Sequence, residues 1–206
     1  MDFIDNYLDE LEVVVHHISR DAVRAVVEAL MDSWRRNKTV FLFGNGGSAA
    51  TASHMMNDLN KYTIVDGMPR FRAIALTDNV PLMTAIGNDL DYSDIFVEPL
   101  KNLLQPGDLL IAMSASGNSP NILKAVEYAQ SIGVRVVGFC GQPGGRLAQM
   151  ADLKVIIPSD RIGHQEDGHL ILNHVITANL AERIKQLRST MPTVMTADKA
   201  DRVRKS

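Results

Sequence analysis

Residues 39–55 read TVFLFGNGGSAATASHM, an apolar run followed by a glycine-rich turn and a stretch of small residues with helical character. The apolar run is short and continuously hydrophobic, which predicts a strand buried on both faces. A buried strand that passes through glycines directly into a helix is typical of a strand–helix–strand unit. The fold class depends on how often this unit recurs.

Four further apolar runs follow the first, separated by stretches with helical spacing. Alternating helices and continuously apolar strands predict an α/β fold with a parallel sheet covered by helices on both faces. The predicted strands are 39–43, 72–76, 108–113, 134–139 and 153–157. The predicted helices are 48–60, 81–86, 94–104, 120–131, 144–150 and 165–188.

The chain before the first strand is predicted to be helical, because apolar residues recur at helical spacing through 2–36. Ser19 or Asp21 could cap a second helix within this stretch. Its apolar stripe is larger than one sheet face needs, which favours packing between subunits. The expected segments are a helical oligomerisation arm at 1–36, the α/β domain at 37–190 and a flexible polar tail at 191–206.

Composition excludes several classes of protein. The chain has 206 residues, 46% of them hydrophobic and 22% charged, which indicates a globular protein and excludes wholesale disorder. A net charge of −3 argues against a broad nucleic-acid surface, and the single cysteine, Cys140, excludes an internal disulfide framework. The acidic N-terminus does not read as a secretory signal, and no apolar run reaches about 18 residues. We therefore expect a cytoplasmic protein that contacts neither membrane nor nucleic acid.

Two loops at predicted strand ends favour anion binding. GNGGSAA at 44–50 follows the first strand, and SASGNSP at 114–120 follows the third. Glycines let backbone N–H groups approach a ligand, a helix N-terminus adds positive partial charge, and serine hydroxyls donate hydrogen bonds. Ligands of open parallel sheets bind beyond the carboxyl ends of the strands. The two loops therefore predict a phosphate site held mostly by neutral donors.

A dinucleotide site is the competing interpretation of the first loop. Gly44, Gly46 and Ala49 satisfy the G-x-G-x-x-A pattern, which requires an acidic residue ending the second strand about 20 residues later. Asp78 ends that strand but lies 34 residues after Gly44. This interpretation gives the serine loop no role, so the phosphate site is favoured.

Titratable side chains gather after the first loop and on the last predicted helix. His54 and Asp58 are four residues apart, so a helix places them on one face. An imidazole and a carboxylate in that arrangement can hold a metal or divide acid and base roles. The last helix carries His169 and His174, preceded by Glu166.

Five motifs together resemble the sugar isomerase (SIS) domain. They are GNGGS, ALTD at 75–78, TAIGND at 84–89, SASGNS and EDGHLILNH at 166–174. Within that family the chain is most similar to the phosphoheptose isomerase group, which converts sedoheptulose 7-phosphate to D-glycero-D-manno-heptose 7-phosphate. The resemblance reaches to about residue 186. It implies a flavodoxin-like five-stranded parallel sheet and a homotetramer with active sites at subunit contacts.

The resemblance also implies a set of site residues. Asp58 matches the family's base and His174 its partner, and these two with His54 and Glu166 match the positions that hold zinc. Glu166 also matches a substrate-binding position. The other implied substrate contacts are Asn45, Gly46, Gly47, Ser48, Asn88, Asp89, Ser114, Ser116 and Ser119.

Three positions depart from the family pattern. Asp58 replaces a glutamate, and Ala115 replaces a threonine. Glu166 replaces a glutamine in the ungapped alignment, whereas a shift of one residue matches Gln165 to that position instead. Glu166 and His174 lie about 12 Å apart along a continuous helix, too far to share one metal. Either Glu166 belongs to the preceding loop or the site combines two chains.

Two functions are compatible with these residues. The first is an aldose–ketose isomerase that acts on a sugar phosphate through an enediol. The alternative is a non-catalytic SIS module that binds a sugar phosphate or a protein partner, as a replication-initiation regulator does. The retained pair His54 and His174, with two carboxylates, favours the enzyme, because a binding module has no need of that set.

Overall fold

Five parallel strands form one sheet, in the order β2-β1-β3-β4-β5. The computed structural model describes residues 2–191. The strands are β1 (Thr39–Gly44), β2 (Arg72–Ala75), β3 (Leu109–Ser114), β4 (Arg135–Gly141) and β5 (Leu153–Ile157). Each predicted apolar run forms one of them, and the order is that of flavodoxin-like sheets. The predicted fold class is confirmed.

In the described part of the chain, residues 2–191, eight α-helices cover the sheet and extend from it. They are α1 (Phe3–His17), α2 (Arg20–Arg35), α3 (Gly47–Asn57), α4 (Val80–Asp89), α5 (Val97–Leu103), α6 (Pro120–Ser131), α7 (Gly145–Met150) and α8 (Ile162–Thr190). The predicted break in the N-terminal stretch is at Ser19, whose hydroxyl accepts a hydrogen bond from the backbone N–H of Ala22 at 3.3 Å. An N-cap of this kind starts α2 in a new direction.

The side chains of the strands alternate between two hydrophobic cores. Val40 and Leu42 of β1 point to the core formed with α2, α3 and α8. Phe41 and Phe43 point to the opposite core, formed with α5, α6 and α7. All four side chains are at most 1% exposed, and burial of each stabilises the fold by about 1.5–3 kcal/mol.

Strand pairing places the two predicted loops side by side. β1 lies next to β3, and the last residue of β1, Gly44, is paired with Met113. Because the two strands are parallel, the loops that follow them leave the same edge of the sheet together.

Two helices differ from the prediction. Helix α3 ends at Asn57 and continues as a π-helical turn, Asp58–Tyr62, which extends two residues beyond the predicted 48–60 helix. Helix α8 begins at Ile162 rather than 165 and runs unbroken to Thr190. Within residues 2–191, no helix has the length and hydropathy needed to cross a membrane. The predicted tail, apart from Met191, lies outside the described residues.

Candidate active site

The loops after β1 and β3 line one cavity of about 460 Å³, here called the loop cavity. The first loop contributes Asn45 and Ser48. The serine loop contributes Ser114, Ala115, Ser116 and Ser119. Most of the predicted phosphate contacts therefore face one space, next to the N-terminus of α3, where backbone N–H groups lack helical partners.

The serine loop is held in shape by its own hydroxyls and by a glycine. The backbone N–H of Gly117 donates to the Ser114 hydroxyl at 3.1 Å, and that of Asn118 donates to the Ser116 hydroxyl at 3.2 Å. Gly117 has a φ of +64°, and a Cβ there would collide with the carbonyl oxygen of Gly144. Ser119 is the N-cap residue of α6 but makes no side-chain cap, and its hydroxyl lies 3.4 Å from that of Ser114 at the wall of the cavity.

A pair of amides joins the two loops. Asn45 donates to the side-chain oxygen of Asn121 at 3.0 Å, and Asn121 donates back to Asn45 at 2.9 Å. Asn121 is 2% exposed and lies in the first turn of α6. The reciprocal hydrogen bonds fix the spacing between the two walls of the loop cavity.

Gln165 and Glu166 both line the loop cavity. The Glu166 carboxylate fills the space that a Cβ on Gly47 would occupy, so it lies against the start of α3. Gln165 is buried and donates to the backbone carbonyl of Ser159 at 2.6 Å. Both residues lie in the first turns of α8, so the proposal that Glu166 precedes the helix is wrong.

A second cluster lies at the other end of α3, where His54, Asp58 and His174 form what is here called the His–Asp–His group. Each residue offers a ligand atom within 4.8 Å of the other two. His54 Nε2 lies 3.4 Å from Asp58 Oδ2, and the two imidazole rings are 5.0 Å apart at 71°. The side chains of His54 and Asp58 are 43% and 15% exposed, so the group opens to the surface.

The geometry of the His–Asp–His group fits a metal ion. Nitrogen and oxygen ligands at about 2.0–2.1 Å from zinc lie about 3.3 Å from each other in a tetrahedral site. The separation between His54 and Asp58 matches that value. Asp58 is also the first residue of the π-helical turn, a form of helix that is frequent at functional sites.

The structure does not bring all the predicted residues together. Within residues 2–191, Glu166 is not a member of the His–Asp–His group, because α8 is continuous and carries it eight residues before His174. Asn88 and Asp89 are exposed at the end of α4 and do not line the loop cavity. Gly46 is exposed at the N-cap of α3, with a φ of +54°.

Sequence reasoning missed several polar residues at these sites. Asn121 follows the Ser-Pro pair that starts α6, and Asn173 immediately precedes His174. Gln142 and Asp160 line the loop cavity from the ends of β4 and β5. The rule that ligands bind beyond strand ends could have identified Gln142 and Asp160. The sequence carries no such signal for Asn173. The role of an asparagine within a largely apolar helix becomes apparent only when its hydrogen-bond partner is known.

Comparison with known proteins agrees with this architecture. The family model "SIS domain" matches residues 2–141. The phosphoheptose isomerase of Mycobacterium tuberculosis is 35% identical over 178 residues, covering 86% of this chain and 90% of the relative. The structure of the phosphoheptose isomerase from Francisella tularensis has a TM-score of 0.81 at 28% identity, covering 87% of this chain and 96% of that one. The structure from Neisseria gonorrhoeae has a TM-score of 0.80 at 26% identity, with coverages of 87% and 97%.

The chain therefore belongs to the SIS domain family. Curated phosphoheptose isomerases from several species are among the proteins to which it is similar.

Proposed function

We propose that this protein is an isomerase that converts sedoheptulose 7-phosphate to D-glycero-D-manno-heptose 7-phosphate. Its relatives named phosphoheptose isomerase share at least a third of their residues with it over most of both chains. The observation that carries the proposal is the His–Asp–His group, which supplies a base, its partner and metal ligands in one place. Phosphate binding alone does not need such a group.

The loop cavity holds the phosphate in this proposal. Ser114, Ser116 and Ser119 face it with hydroxyls, and the N-terminus of α3 adds the positive end of a helix dipole. Within residues 2–191, no lysine or arginine lines the cavity.

The isomerisation itself moves two protons. Asp58 removes a proton from C1 of the ketose, next to the carbonyl, and a cis-enediol forms. His174 carries the proton of the C1 hydroxyl to the oxygen on C2, and Asp58 returns its proton to C2, which completes the aldose. The substrate is neither oxidised nor reduced overall, since hydrogen only changes position.

A divalent metal, which we propose to be zinc, fits the donors of His54, Asp58 and His174. When bound, it would polarise the carbonyl and hydroxyl oxygens of the sugar as a Lewis acid. His54 serves as a ligand in this proposal, and Asp58 and His174 combine that role with proton transfer.

The reaction site is proposed to combine two subunits of a homotetramer. Ser48 lies in the first turn of α3 and Asp58 ten residues later, which is about 15 Å along the helix axis. The phosphate cavity and the His–Asp–His group of one chain are thus well separated. In the proposed assembly, the cavity of one subunit, with its Glu166, faces the His–Asp–His group of a neighbour. A cytoplasmic location stays a prediction.

The test is solvent deuterium incorporation at the carbon beside the carbonyl, with sedoheptulose 7-phosphate and zinc supplied. We expect Asp58→Asn and His174→Ala each to slow exchange by about 10²-fold or more, since each removes an acid–base group. Asp21→Asn, an exposed carboxylate at the start of α2, is the matched control and should exchange at the wild-type rate.

Phosphate binding should be retained in both variants, because the loop cavity is unchanged. Wild-type protein that binds a ketose phosphate yet never exchanges the proton would overturn the enzyme and favour the non-catalytic binding module. Exchange that persists in Asp58→Asn would keep the enzyme and remove Asp58 from the role of base.

A further inference from the structure

Asn173 makes a contact across the interface between α8 and α3. Its side chain is 0% exposed, and its Nδ2 donates a hydrogen bond to Oδ2 of Asp58 at 3.0 Å. The two residues are 115 positions apart in the chain. Asn173 immediately precedes His174, so one turn of α8 carries both a member of the His–Asp–His group and a donor to another member.

The orientation of the Asn173 amide depends on this hydrogen bond. Its Oδ1 is buried and has no hydrogen-bond partner within residues 2–191, so no other hydrogen bond in that part of the chain favours the observed orientation. If the amide turned over, its oxygen would face the Asp58 carboxylate and the two acceptors would repel each other. The buried amide and the carboxylate therefore hold each other in place.

The oxygen that Asn173 holds is the one that faces the rest of the group. Asp58 Oδ2 is also the atom that lies 3.4 Å from His54 Nε2. A carboxylate oxygen has two lone pairs, so it can accept from Asn173 and still face a metal. The other oxygen, Oδ1, accepts from the exposed side chain of Asn57 at 3.3 Å, which is a weaker restraint.

We infer that Asn173 is a positioning residue, which holds the Asp58 carboxylate in the orientation that completes the His–Asp–His group. Asp58 has a short side chain and starts the π-helical turn. A rigid donor from the packed face of α8 restricts rotation of that side chain. This inference rests on the proposed function, since it assigns Asn173 to the same metal and proton-transfer site.

The first test measures zinc affinity by competition with a chromogenic chelator, without substrate. Asn173→Leu keeps a similar side-chain volume and removes the donor. It should weaken zinc binding by about 10- to 100-fold, the usual effect of losing a hydrogen bond to a metal ligand. Thr177→Val is the matched control, because Thr177 is buried one turn later on α8 and bonds only to backbone carbonyls. This control should bind zinc as the wild type does.

A double-mutant cycle separates positioning from packing. In an Asp58→Ala background, Asn173→Leu should cause no further loss of zinc affinity, because the group it acts through is gone. In steady-state turnover, Asn173→Leu alone should lower kcat and leave the KM for sedoheptulose 7-phosphate unchanged, since the phosphate is held in the loop cavity. If Asn173→Leu fails to fold, Asn173→Ala is measured by the same criteria.

The outcomes distinguish this inference from the proposed function. Equal zinc affinity in wild type and Asn173→Leu would overturn the inference and leave the isomerase standing. If Asn173→Leu caused an equal loss of zinc affinity in the wild-type and Asp58→Ala backgrounds, the inference would also be overturned, because Asn173 would then act through packing. Wild-type protein that binds no zinc would overturn the metal assignment and this inference together.

Discussion

Ser116 is the residue on which the phosphate assignment can be tested most directly. It is exposed in the wall of the loop cavity, so a larger side chain fills the cavity without disturbing a packed core. We expect Ser116→Leu to weaken binding of sedoheptulose 7-phosphate by about tenfold or more, since it removes a donor and blocks the space, at a cost of about 1.4 kcal/mol per tenfold. Isothermal titration calorimetry measures the affinity.

Ser131→Leu is the control for that experiment. Ser131 is an exposed serine at the far end of α6, and its hydroxyl donates only to the backbone carbonyl of Tyr128. This variant should bind the sugar phosphate normally. Unchanged affinity in Ser116→Leu would show that the phosphate lies elsewhere.

Individual residues differ in how far the sequence could place them. Ser114, Ser116 and Ser119 were predicted to face one site, because their loop follows a strand in a parallel sheet. The alternatives Gln165 and Glu166 could not be separated by alignment, and both proved to line the loop cavity. Gln165 donates to the backbone carbonyl of Ser159, whereas Glu166 lies against the start of α3. The two environments differ because neighbouring residues of a helix point about 100° apart.

At the scale of the element, α8 carries a row of polar residues on its buried face. His164, His169, Asn173 and Thr177 are all at most 1% exposed. The ring of His169 packs near Phe139, with 5.9 Å between the ring centroids. Burial lowers the pKa of His169 to about 4, from an ordinary value of 6.5. The folded protein therefore keeps this imidazole neutral.

The lowered pKa of His169 makes stability depend on pH. Between pH 6.5 and about 4 the unfolded chain binds a proton that the folded protein does not, so stability is full above pH 6.5 and falls as the pH drops. From pH 7.5 to pH 5, we expect His169 to account for a loss of about 2 kcal/mol in the free energy of unfolding. Urea unfolding at these two pH values measures the loss in the free energy of unfolding.

In His169→Leu, the free energy of unfolding should fall by a correspondingly smaller amount between the two pH values. His16→Gln, an exposed histidine on α1, should keep the full wild-type dependence. A wild-type dependence in His169→Leu would contradict the assignment of this loss to the buried imidazole.

The end of α3 is an element that the sequence described only in part. Helical spacing predicted a helix over 48–60, and the structure has a helix and a π-helical turn there. The sequence carries no local sign of the change in hydrogen bonding. Leu59 packs into the core, and Asp58 accepts a hydrogen bond from α8. Both contacts depend on tertiary structure, and we attribute the wider π-helical turn to them.

At the scale of the whole molecule, α1 is covered on one side only. Val14 is its single buried residue. The exposed apolar side chains are Phe3, Ile4, Leu8 and Val13, each more than half exposed. A groove of about 610 Å³ with an apolar floor lies next to it, between α2 and α8. An exposed apolar surface of this kind is typical of a subunit interface, which supports the proposed oligomerisation arm at 1–36.

We expect Leu8→Asp to dissociate the proposed tetramer, because it puts a charge into an apolar contact. Multi-angle light scattering at micromolar concentration measures the mass. Asp9→Asn, at the neighbouring exposed position, removes a charge without changing apolar area and should leave the assembly intact. If the reaction site combines two subunits, the Leu8→Asp variant should lose turnover as well as dissociate into species of lower mass. A monomeric wild type would contradict the proposal.

The flavodoxin-like strand order was implied by the resemblance to the SIS domain. The residue pattern by itself determined the parallel sheet and placed the two loops at one edge. Those features follow from local patterns. The spacing of apolar residues and their order along the chain suffice to specify alternating strands and helices, and parallel strands end at the same edge of the sheet. The resemblance of five motifs identified the family from the same residues.

Only the tertiary structure decided which side chains of α8 meet α3. It paired Asn173 with Asp58, placed His174 beside His54 and left Glu166 in the loop cavity. These contacts join segments more than 100 residues apart, and they depend on the rotation and crossing of two packed helices. A change of one residue in helix phase turns a side chain by about 100°, so no local pattern in the sequence specifies them.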